Sequence, residues 1–251
     1  MKISMQWYNF DTLAVDRFVQ TLALTAGGLG INADPRPHRD STYQLIQGGQ
    51  FLVAQCCGLD LIRQFNHIQP LVVPVYDNGS APGWYCSYLV CRPEAAERPL
   101  DQLRWTANYD TSWSGYFAGL VWLRDQGLDP KVLAQAPRSG GHRASLEALL
   151  AGETDAAFVD SVTFSLLREP MALDRRLHVR AKTAQVPSCP LVVPSGMDPQ
   201  VKDQLRALFR QPMSSQLGRA AMATGITAFV DMPLALWQSH QGKMMRDKGL
   251  W

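Results

Sequence analysis

Apolar residues along the first third of the chain follow two different periods in alternation. Some segments are short and continuously apolar, or alternate with polar residues, which is typical of strands, whereas others repeat an apolar residue every three or four positions, which is typical of helices. Ser or Asp stands before several of these helices, where it can cap the first turn. The predicted strands are residues 2–5, a piece around Ile31, 51–54, 71–75 and 85–91, and the predicted helices are 11–27, 41–46 and 59–65.

The same alternation continues after a segment rich in Pro and Glu, residues 93–99. That segment and the Pro-containing residues 187–190 have the composition of crossings between two lobes. Beyond the second crossing one strand is predicted, and the remainder of the chain is predicted to be helical. The predicted strands are 104–107, 132–136, 156–162, 177–181 and 191–193, and the predicted helices are 117–123, 144–150, 164–167, 199–209, 214–223 and 233–245.

Alternation of strands and helices predicts an α/β fold in which each lobe has a mostly parallel sheet flanked by helices. Because the chain leaves its first lobe and later returns to it, we expect residues 1–91 and 188–251 to form one discontinuous lobe and residues 92–187 to form an inserted lobe. Two such lobes joined by two crossings enclose a ligand cleft with a hinge.

The composition excludes several classes of function. With 24 basic and 22 acidic residues the formal charge is only +2, and no long run of one sign indicates a nucleic-acid surface. The five His residues are too scattered for a metal site, and no motif calls for a cofactor. No apolar run has the length needed to span a membrane.

Cysteine usage and the start of the chain bear on localisation. Neighbouring Cys56 and Cys57 could form a bridge only in a strained geometry, so free thiols in a reducing compartment are the simplest expectation for the five cysteines. Met1 stands directly before the first predicted strand, with no basic and then apolar leader. The expected location is therefore cytoplasmic for the chain as printed, and periplasmic if a leader has been removed.

Two Ser- and Gly-rich loops carry the candidate chemistry, and both are predicted to follow a strand and open a helix. They are Ser112-Trp113-Ser114-Gly115 and Ser139-Gly140-Gly141-His142. The first turn of a helix has backbone N–H groups without partners and the positive end of the helix dipole, so such starts favour anions. At the same edge of one sheet, the two loops together with the His donor form a pocket for an oxyanion.

At these residues the chain resembles the phosphate, phosphite and phosphonate substrate-binding proteins of ABC transporters, which have the type II periplasmic-binding fold. The resemblance extends from about Trp7 to Pro194, and its most specific part runs from Ser139 to Asp160. It implies a protein that captures a small oxyanion for an uptake system with a permease partner, and that is not an enzyme.

The resemblance also implies which residues bind the ligand. In such proteins the serine-rich loop and the His hold the oxyanion, while aromatic and acidic residues close over it. The position between the two serines is commonly Thr in the family, whereas Trp113 has no hydroxyl and adds a large ring, which favours a ligand with an organic substituent. The residues implied are Ser112, Trp113, Ser114, His142, Tyr85 and Asp160, with Tyr8 and Cys57 as further cleft neighbours.

Each of these residues also has a purely structural interpretation. Tyr8 and Tyr85 could pack a hinge, Asp160 could cap the helix that follows its strand, and His142 could simply begin a helix. Cys57 could be a small residue packed at a strand end.

Three classes of function remain to be weighed. Ser, His and Asp together are reminiscent of a hydrolase, but the chain has no Gly-x-Ser-x-Gly elbow, and its serines are needed as donors at a helix start. An enzyme on the same two-lobed fold, acting on a small carboxylate or phosphorylated metabolite, is the main alternative to a transport protein. A ligand sensor is the third, since fold alone does not decide function.

Overall fold

The computed structural model describes residues 1–39, 41–64 and 66–250. The end of the helix predicted to reach Phe65, and the terminal Trp251, lie outside these residues. The predicted α/β fold is confirmed. The strands are β1 Lys2–Ser4, β2 Phe51–Gln55, β3 Ile68–Tyr76, β4 Trp84–Tyr85, β5 Ser87–Cys91, β6 Trp105–Thr106, β7 Ala156–Asp160, β8 His178–Lys182, β9 Val186–Pro187, β10 Leu191–Pro194 and β11 Ile226–Val230.

The helices lie mostly between these strands. They are α1 Thr12–Gly27, α2 Thr42–Gly48, α3 Gly58–Arg63, α4 Ala118–Asp125, α5 Lys131–Ala134, α6 His142–Leu150, α7 Ser161–Leu167, α8 Leu173–Arg176, α9 Pro199–Phe209, α10 Gln216–Met222, α11 Leu234–Trp237 and α12 Lys243–Asp247. Short 3₁₀ turns cover Pro93–Ala95 and Leu100–Gln102, and π-helical turns cover Trp113–Phe117 and Gln238–Gly242. None of the helices in the described ranges has the length and apolar character to cross a membrane.

The chain divides into two compact units. The first unit comprises Met1–Asp77, Ala81–Gly83 and Pro187–Gln238. The inserted unit comprises Asn78–Ser80, Trp84–Val186 and Ser239–Trp251. β4 and β9 form a separate two-stranded ladder.

The first unit contains a five-stranded sheet in the order β1-β2-β10-β3-β11. β1, β2 and β3 run in one direction, while β10 and β11 run in the other. Its aromatic core joins the helices to the sheet: Phe18 of α1 stacks on Phe229 of β11 with a centroid distance of 6.3 Å, and Phe209 of α9 lies 4.9 Å from the same ring.

The inserted unit contains a four-stranded sheet in the order β6-β7-β5-β8. Only β5 runs against the other three strands. Phe158 in the middle of β7 contacts Trp105 of β6 on one side and Trp122 of α4 on another, with centroid distances of 5.8 and 5.9 Å. β10 in the first sheet and β5 in the inserted sheet each lie between two strands of the opposite direction, and β11 also runs against its neighbour β3. Most neighbouring strands therefore pair antiparallel.

The unit boundaries differ from those expected from composition. β5 was expected in the lobe formed by residues 1–91, but it pairs with β7 and β8 and so belongs to the inserted unit. The chain also passes to the inserted unit a second time after Gln238, and the expected lobe 188–251 therefore ends early. Arg124 at the end of α4 donates to the Lys248 carbonyl, and Lys248 pairs with Asp125. These contacts draw the C-terminal segment onto the inserted unit.

Three local predictions are wrong. The segment around Ile31 forms no strand; residues 34 and 38 donate single hydrogen bonds to the carbonyls of Met1 and Ile3, and the prolines between them cannot donate. Residues 132–136 were predicted as a strand, but α5 begins there because Asp129 accepts from the Lys131 N–H and Pro130 starts the turn. β11 was missed within a region predicted to be helical.

Asp155 joins several segments at the base of the inserted sheet. Its carboxylate is buried and accepts from the backbone N–H of Arg104 at 3.0 Å and from the Arg104 guanidinium at 2.8 Å. Arg98 donates to the same carboxylate at 3.3 Å. The hydrogen bonds from Arg104 hold the pKa of Asp155 well below its usual value. Asp155 therefore stabilises the folded inserted unit in its charged form.

We expect Asp155→Asn to lower the free energy of unfolding at pH 7 by about 2 kcal/mol, less than for a fully buried pair because the guanidiniums are partly exposed. Since the folded pKa lies below the unfolded one, this contribution is present above about pH 4 and is lost as the pH falls through the folded pKa. Thermal unfolding of both proteins at pH 7 and pH 3 should show the difference shrinking at pH 3. Asp174→Asn, which breaks the exposed pair with Arg168, is the control with little expected effect. If Asp155→Asn destabilises the protein equally at both pH values, the assignment of a lowered pKa to Asp155 in the folded protein is wrong.

Candidate functional site

The Ser112 loop of the inserted unit forms a tight, buried turn. The Ser112 hydroxyl accepts from the backbone N–H of Gly115 at 3.0 Å and so caps the π-helical turn Trp113–Phe117, which leads into α4. A cap that accepts through its oxygen keeps its own O–H for another acceptor. π-helical turns are rare and frequently lie at functional sites.

The Ser139 loop is shaped by a glycine and a serine. Gly140 has φ +86°, a left-handed conformation that side chains disfavour, and it lets the chain turn before α6. The Ser139 hydroxyl donates to the Gly141 carbonyl at 3.1 Å. Gly141 precedes α6 and provides no side-chain cap, so the first-turn N–H groups of α6 have no capping side chain.

Asn108, at the end of β6, links the two loops. Its backbone N–H donates to the Gly115 carbonyl at 3.2 Å, and its carbonyl accepts from the Gly140 N–H at 2.9 Å. The side chain is buried, and its Oδ1 accepts from the Ser145 hydroxyl at 3.2 Å. One buried residue therefore fixes the relative position of two helix starts.

Ser114, His142 and Asp160 form a hydrogen-bonded cluster. Ser114 Oγ lies 2.8 Å from His142 Nε2, and Asp160 Oδ2 lies 3.0 Å from the same nitrogen. The Asp160 backbone N–H points at His142 Nδ1 at 3.4 Å. The cluster thus joins the start of the turn before α4, the start of α6 and the end of β7.

These contacts identify the roles of the groups. Because a backbone N–H faces Nδ1, the neutral ring carries its proton on Nε2 and donates it toward Asp160. Ser114 then faces a donor and keeps its own O–H available. In a serine–histidine–aspartate relay the hydroxyl and the carboxylate bind opposite ring nitrogens, whereas here both contact Nε2. This geometry presents hydrogen-bond donors to a ligand and is unsuited to relaying a proton from the serine to the carboxylate.

Asp160 also caps α7, as the structural interpretation of this residue predicts. Its carboxylate accepts from the Thr163 N–H and from the Thr163 hydroxyl, both at 2.7 Å. Burial raises the pKa of Asp160, but the His142 imidazole, when it is charged, and the hydrogen bonds from His142 and Thr163 lower the pKa by more. The net pKa lies below the ordinary value, so Asp160 is ionised at neutral pH and holds the imidazole in place.

The cations beside the two loops are engaged with other groups. Arg143 pairs with Glu147 at 3.0 Å along α6. Arg138 pairs with Asp110 at 2.8 Å, and its guanidinium lies 4.6 Å from the centre of the Tyr116 ring. The donors of the cluster itself are therefore hydroxyl, imidazole and backbone N–H groups.

Two further predicted site residues lie in the inserted unit, where their contribution to the site remains a prediction. Tyr85 is in β4 and its side chain is buried. Trp113 is also buried, and its indole lines a cavity that is bounded by α4 and the C-terminal segment.

Tyr8 and Cys57 belong to the first unit, and their place beside the ligand is likewise a prediction. Tyr8 has φ +60°, which is uncommon for a residue with a side chain. Its hydroxyl lies 3.7 Å from the sulfur of Cys189, and its ring lies 5.2 Å from that of Tyr76. Cys57 is buried directly before α3. All five cysteines are buried and none is in a disulfide.

Sequence reasoning did not single out the residues that support the cluster. Thr163 was recognisable from its place three residues after Asp160, the spacing at which a helix cap meets its partner. Asn108 and Ser145 had no such signal, because their contacts join segments 37 residues apart. Within the described ranges no group of three or more His, Cys, Asp and Glu side chains is placed to hold a metal ion.

Comparison with known proteins gives a consistent result. The sequence model of a family described as "ABC transporter, phosphonate, periplasmic substrate-binding protein" matches residues 25–235. No curated protein matches the chain. Among solved structures, the chain is similar to a binding protein component of an ABC phosphonate transporter from Pseudomonas aeruginosa, with a TM-score of 0.80, 16% identity and coverage of 99% of this chain and 86% of that one.

Two further solved structures share the fold. PhnD1 from Prochlorococcus marinus, in complex with methylphosphonate, has a TM-score of 0.79 at 13% identity, with 100% of this chain and 98% of that one covered. A Xanthomonas citri protein bound to ATP has a TM-score of 0.73 at 16% identity, covering 98% and 97%. At these identities the likeness concerns the fold, and it confirms the predicted type II periplasmic-binding architecture.

Proposed function

This chain belongs to the family of periplasmic substrate-binding proteins of phosphonate ABC transporters, and we propose that its inserted unit binds the anionic group of a phosphonate or phosphate ester. The family is not enzymatic, so the chain is a solute-binding protein for ABC-type uptake, with a small-molecule ligand and a permease as partners.

The observation that carries the proposal is the contact between Ser114 Oγ and His142 Nε2 at 2.8 Å. It brings together two helix starts from loops that are 28 residues apart. The same two loops contain the hydroxyl of Ser112 and lead to the first-turn N–H groups of α6, and Asp160 orients the His142 ring. A tetrahedral oxyanion has several oxygens that accept hydrogen bonds from different directions, which suits donors arriving from two helix starts.

Hydroxyl, imidazole and backbone N–H donors also favour this ligand class over a ligand held by ion pairs with Arg or Lys. The flanking Arg138 and Arg143 are bonded to Asp110 and Glu147, so binding does not depend on a free cation. A planar carboxylate presents only two oxygens and would leave more of these donors without an acceptor. We therefore place phosphonates and phosphate esters first and carboxylates second.

The enzyme alternative has less support. In the cluster, Asp160 and Ser114 share one ring nitrogen, which does not activate the serine as a nucleophile. Tyr85, Tyr8, Cys57 and Trp113 stay predicted ligand neighbours, to be tested by substitution once a ligand is known.

A thermal-shift screen tests the ligand class. The panel is phosphate, phosphite, methylphosphonate, a phosphate monoester, acetate and benzoate, each at several concentrations. A ligand present at about a hundred times its dissociation constant stabilises the native state by about 2.7 kcal/mol, which moves the melting temperature by several degrees. We expect methylphosphonate or the ester to give the largest shift. If only the carboxylates shift the transition, the proposed ligand class is wrong.

A further inference from the structure

Three of the five cysteines lie close together in the first unit. Cys56 and Cys57 follow β2, Cys189 lies just before β10, and all three side chains are buried. Burial raises the pKa of the Cys56 thiol, and the nearby Asp60, Cys57 and Cys189 raise this pKa further. The fold therefore brings cysteines from two distant parts of the sequence to one place.

The register between β2 and β10 continues past the end of their ladder. The two strands are antiparallel, and the last pair of the ladder is Gln55 opposite Leu191. Beyond this pair, the backbone N–H of Cys56 donates to the Pro190 carbonyl at 3.2 Å. Cys56 is therefore opposite Pro190, as the register of the ladder requires.

One further step along both segments brings Cys57 opposite Cys189. Cys57 has an extended backbone, with φ −67° and ψ 149°. Cys189 directly precedes Pro190, a position that favours the extended region. The carbonyl of Ser188 accepts from the buried Trp237 indole N–H at 3.1 Å, which holds the chain beside Cys189 in place.

Residues that lie opposite each other at this position have the separation that a disulfide bond needs. Because the hydrogen bond joins Cys56 and Pro190, the next pair along an antiparallel ladder is a non-hydrogen-bonded one. In such pairs the Cα atoms are about 4.5 Å apart and both side chains lie on the same face. Disulfides join Cα atoms about 4.4 to 6.8 Å apart.

The alternative pairings within each unit are less favourable. Cys56 points to the opposite face from Cys57, because side chains alternate along an extended segment, and a bridge between these two neighbours would be strained. Cys86 and Cys91 of the inserted unit are five residues apart at β5, which is roughly 16 Å at the rise of a strand. That distance is too long for a disulfide bond.

We propose that Cys57 and Cys189 form a disulfide bond when the chain folds in an oxidising compartment. The family description places these proteins in the periplasm, where disulfides form and persist. The bond joins the amino-terminal segment of the first unit to the segment that follows the inserted unit in sequence. It closes the loop from residue 57 to residue 189, and so it stabilises the fold by restricting the unfolded chain.

The bond forms by thiol–disulfide exchange during folding, since both sulfurs are buried in the folded chain. The Cys57 thiolate attacks one sulfur of a disulfide donor, here glutathione disulfide, and releases one glutathione thiolate. The Cys189 thiolate then attacks the Cys57 sulfur of the mixed disulfide and releases the second. The two cysteines lose two electrons and two protons, and the glutathione disulfide is reduced to two glutathione molecules.

Refolding of the reduced protein in reduced and oxidised glutathione, followed by thiol titration in denaturant, tests the proposal. The wild type should fall from five thiols to three, whereas Cys57→Ser and Cys189→Ser should each keep all four of their thiols. Cys56→Ser changes a neighbouring buried thiol and is the matched control, which should fall from four thiols to two. The oxidised wild type should melt about 5 °C or more above the reduced wild type, a difference that Cys57→Ser should lack.

A digest of the refolded wild type gives the same answer without any substitution. Trypsin without reduction should leave the peptide of residues 40–63 linked to that of residues 183–202, and fragmentation should assign the link to Cys57. Five thiols in the refolded wild type, a link through Cys56, or a bridge that persists in Cys57→Ser would each overturn the proposal.

Discussion

His142→Ala is expected to weaken binding of methylphosphonate, or of whichever oxyanion binds best, by roughly ten- to a hundredfold. A hydrogen bond to a charged group contributes about 1.5 to 3 kcal/mol, and the imidazole is the group that joins Ser114 to Asp160. Ser114→Ala should have an effect of similar size, because it removes the hydroxyl at the same point. Isothermal titration at pH 7 measures both.

Two further variants separate a binding role from a structural one. His142→Gln keeps an amide N–H near the position of Nε2 and should recover part of the lost affinity, which a merely structural role would not predict. His178→Ala, on the exposed surface of β8, is the matched control and should bind as the wild type does. If His142→Ala folds and binds the oxyanion with unchanged affinity, the cluster is not the binding site.

Gly115→Ala is expected to lower the free energy of unfolding by about 1 to 3 kcal/mol and to weaken oxyanion binding together with it. A Cβ atom at this position would lie 2.2 Å from Asn108 Cγ and 2.3 Å from its Nδ2, far inside ordinary contact distance. Asn108 cannot move aside freely, because it is buried and bonded to Ser145. Thermal unfolding and titration of the same samples measure the two effects.

The clash itself can be tested by a double-mutant cycle. Asn108→Ala removes the atoms that the new Cβ would meet, so the double variant should be more stable than the sum of the single effects predicts. Gly196→Ala is the control, since a Cβ there meets no atom within 4 Å. Additive effects of Asn108→Ala and Gly115→Ala would mean that the strain lies elsewhere.

Local signals predicted those elements whose boundaries are set by nearby residues. The start of α1 followed from Asp11, whose side chain accepts from the Ala14 N–H at 3.0 Å, and the start of α2 followed from Ser41. A cap and its partner are only three residues apart, so both residues of this helix-start signal can be recognised in a short stretch of sequence. Short apolar runs carry less information about their secondary structure, because periodicity cannot separate a buried helix from a strand over five residues. For this reason α5 was predicted as a strand and β11 was overlooked.

For the candidate site, the sequence indicated the groups but not the bonds between them. Ser114 and His142 were predicted because each stands where a helix begins, and Asp160 was implied by the resemblance to the family. That Ser114 and Asp160 would meet the same nitrogen of His142 depends on tertiary packing and could not be predicted. The same holds for Asn108, whose partners are Gly140 in the other loop and Ser145 in helix α6, which follows that loop.

The boundary between the two units likewise depends on contacts between residues that are distant in the sequence. β5 was assigned to the first lobe because no change of composition precedes it, yet its partners are residues 156–160 and 178–182. Strand pairing decides which unit a segment joins, and the sequence of a strand does not show which distant strand it will pair with.

The position of β10 bears on how the chain acquires its structure during synthesis. This strand, residues 191–194, lies between β2 and β3 and pairs with both, so the inner edges of β2 and β3 have no partner until residues 191–194 have left the ribosome. The four strands of the inserted sheet are complete by residue 182. The inserted sheet can therefore form first, while the amino-terminal strands emerge early with unpaired edges, the kind of surface that chaperones protect.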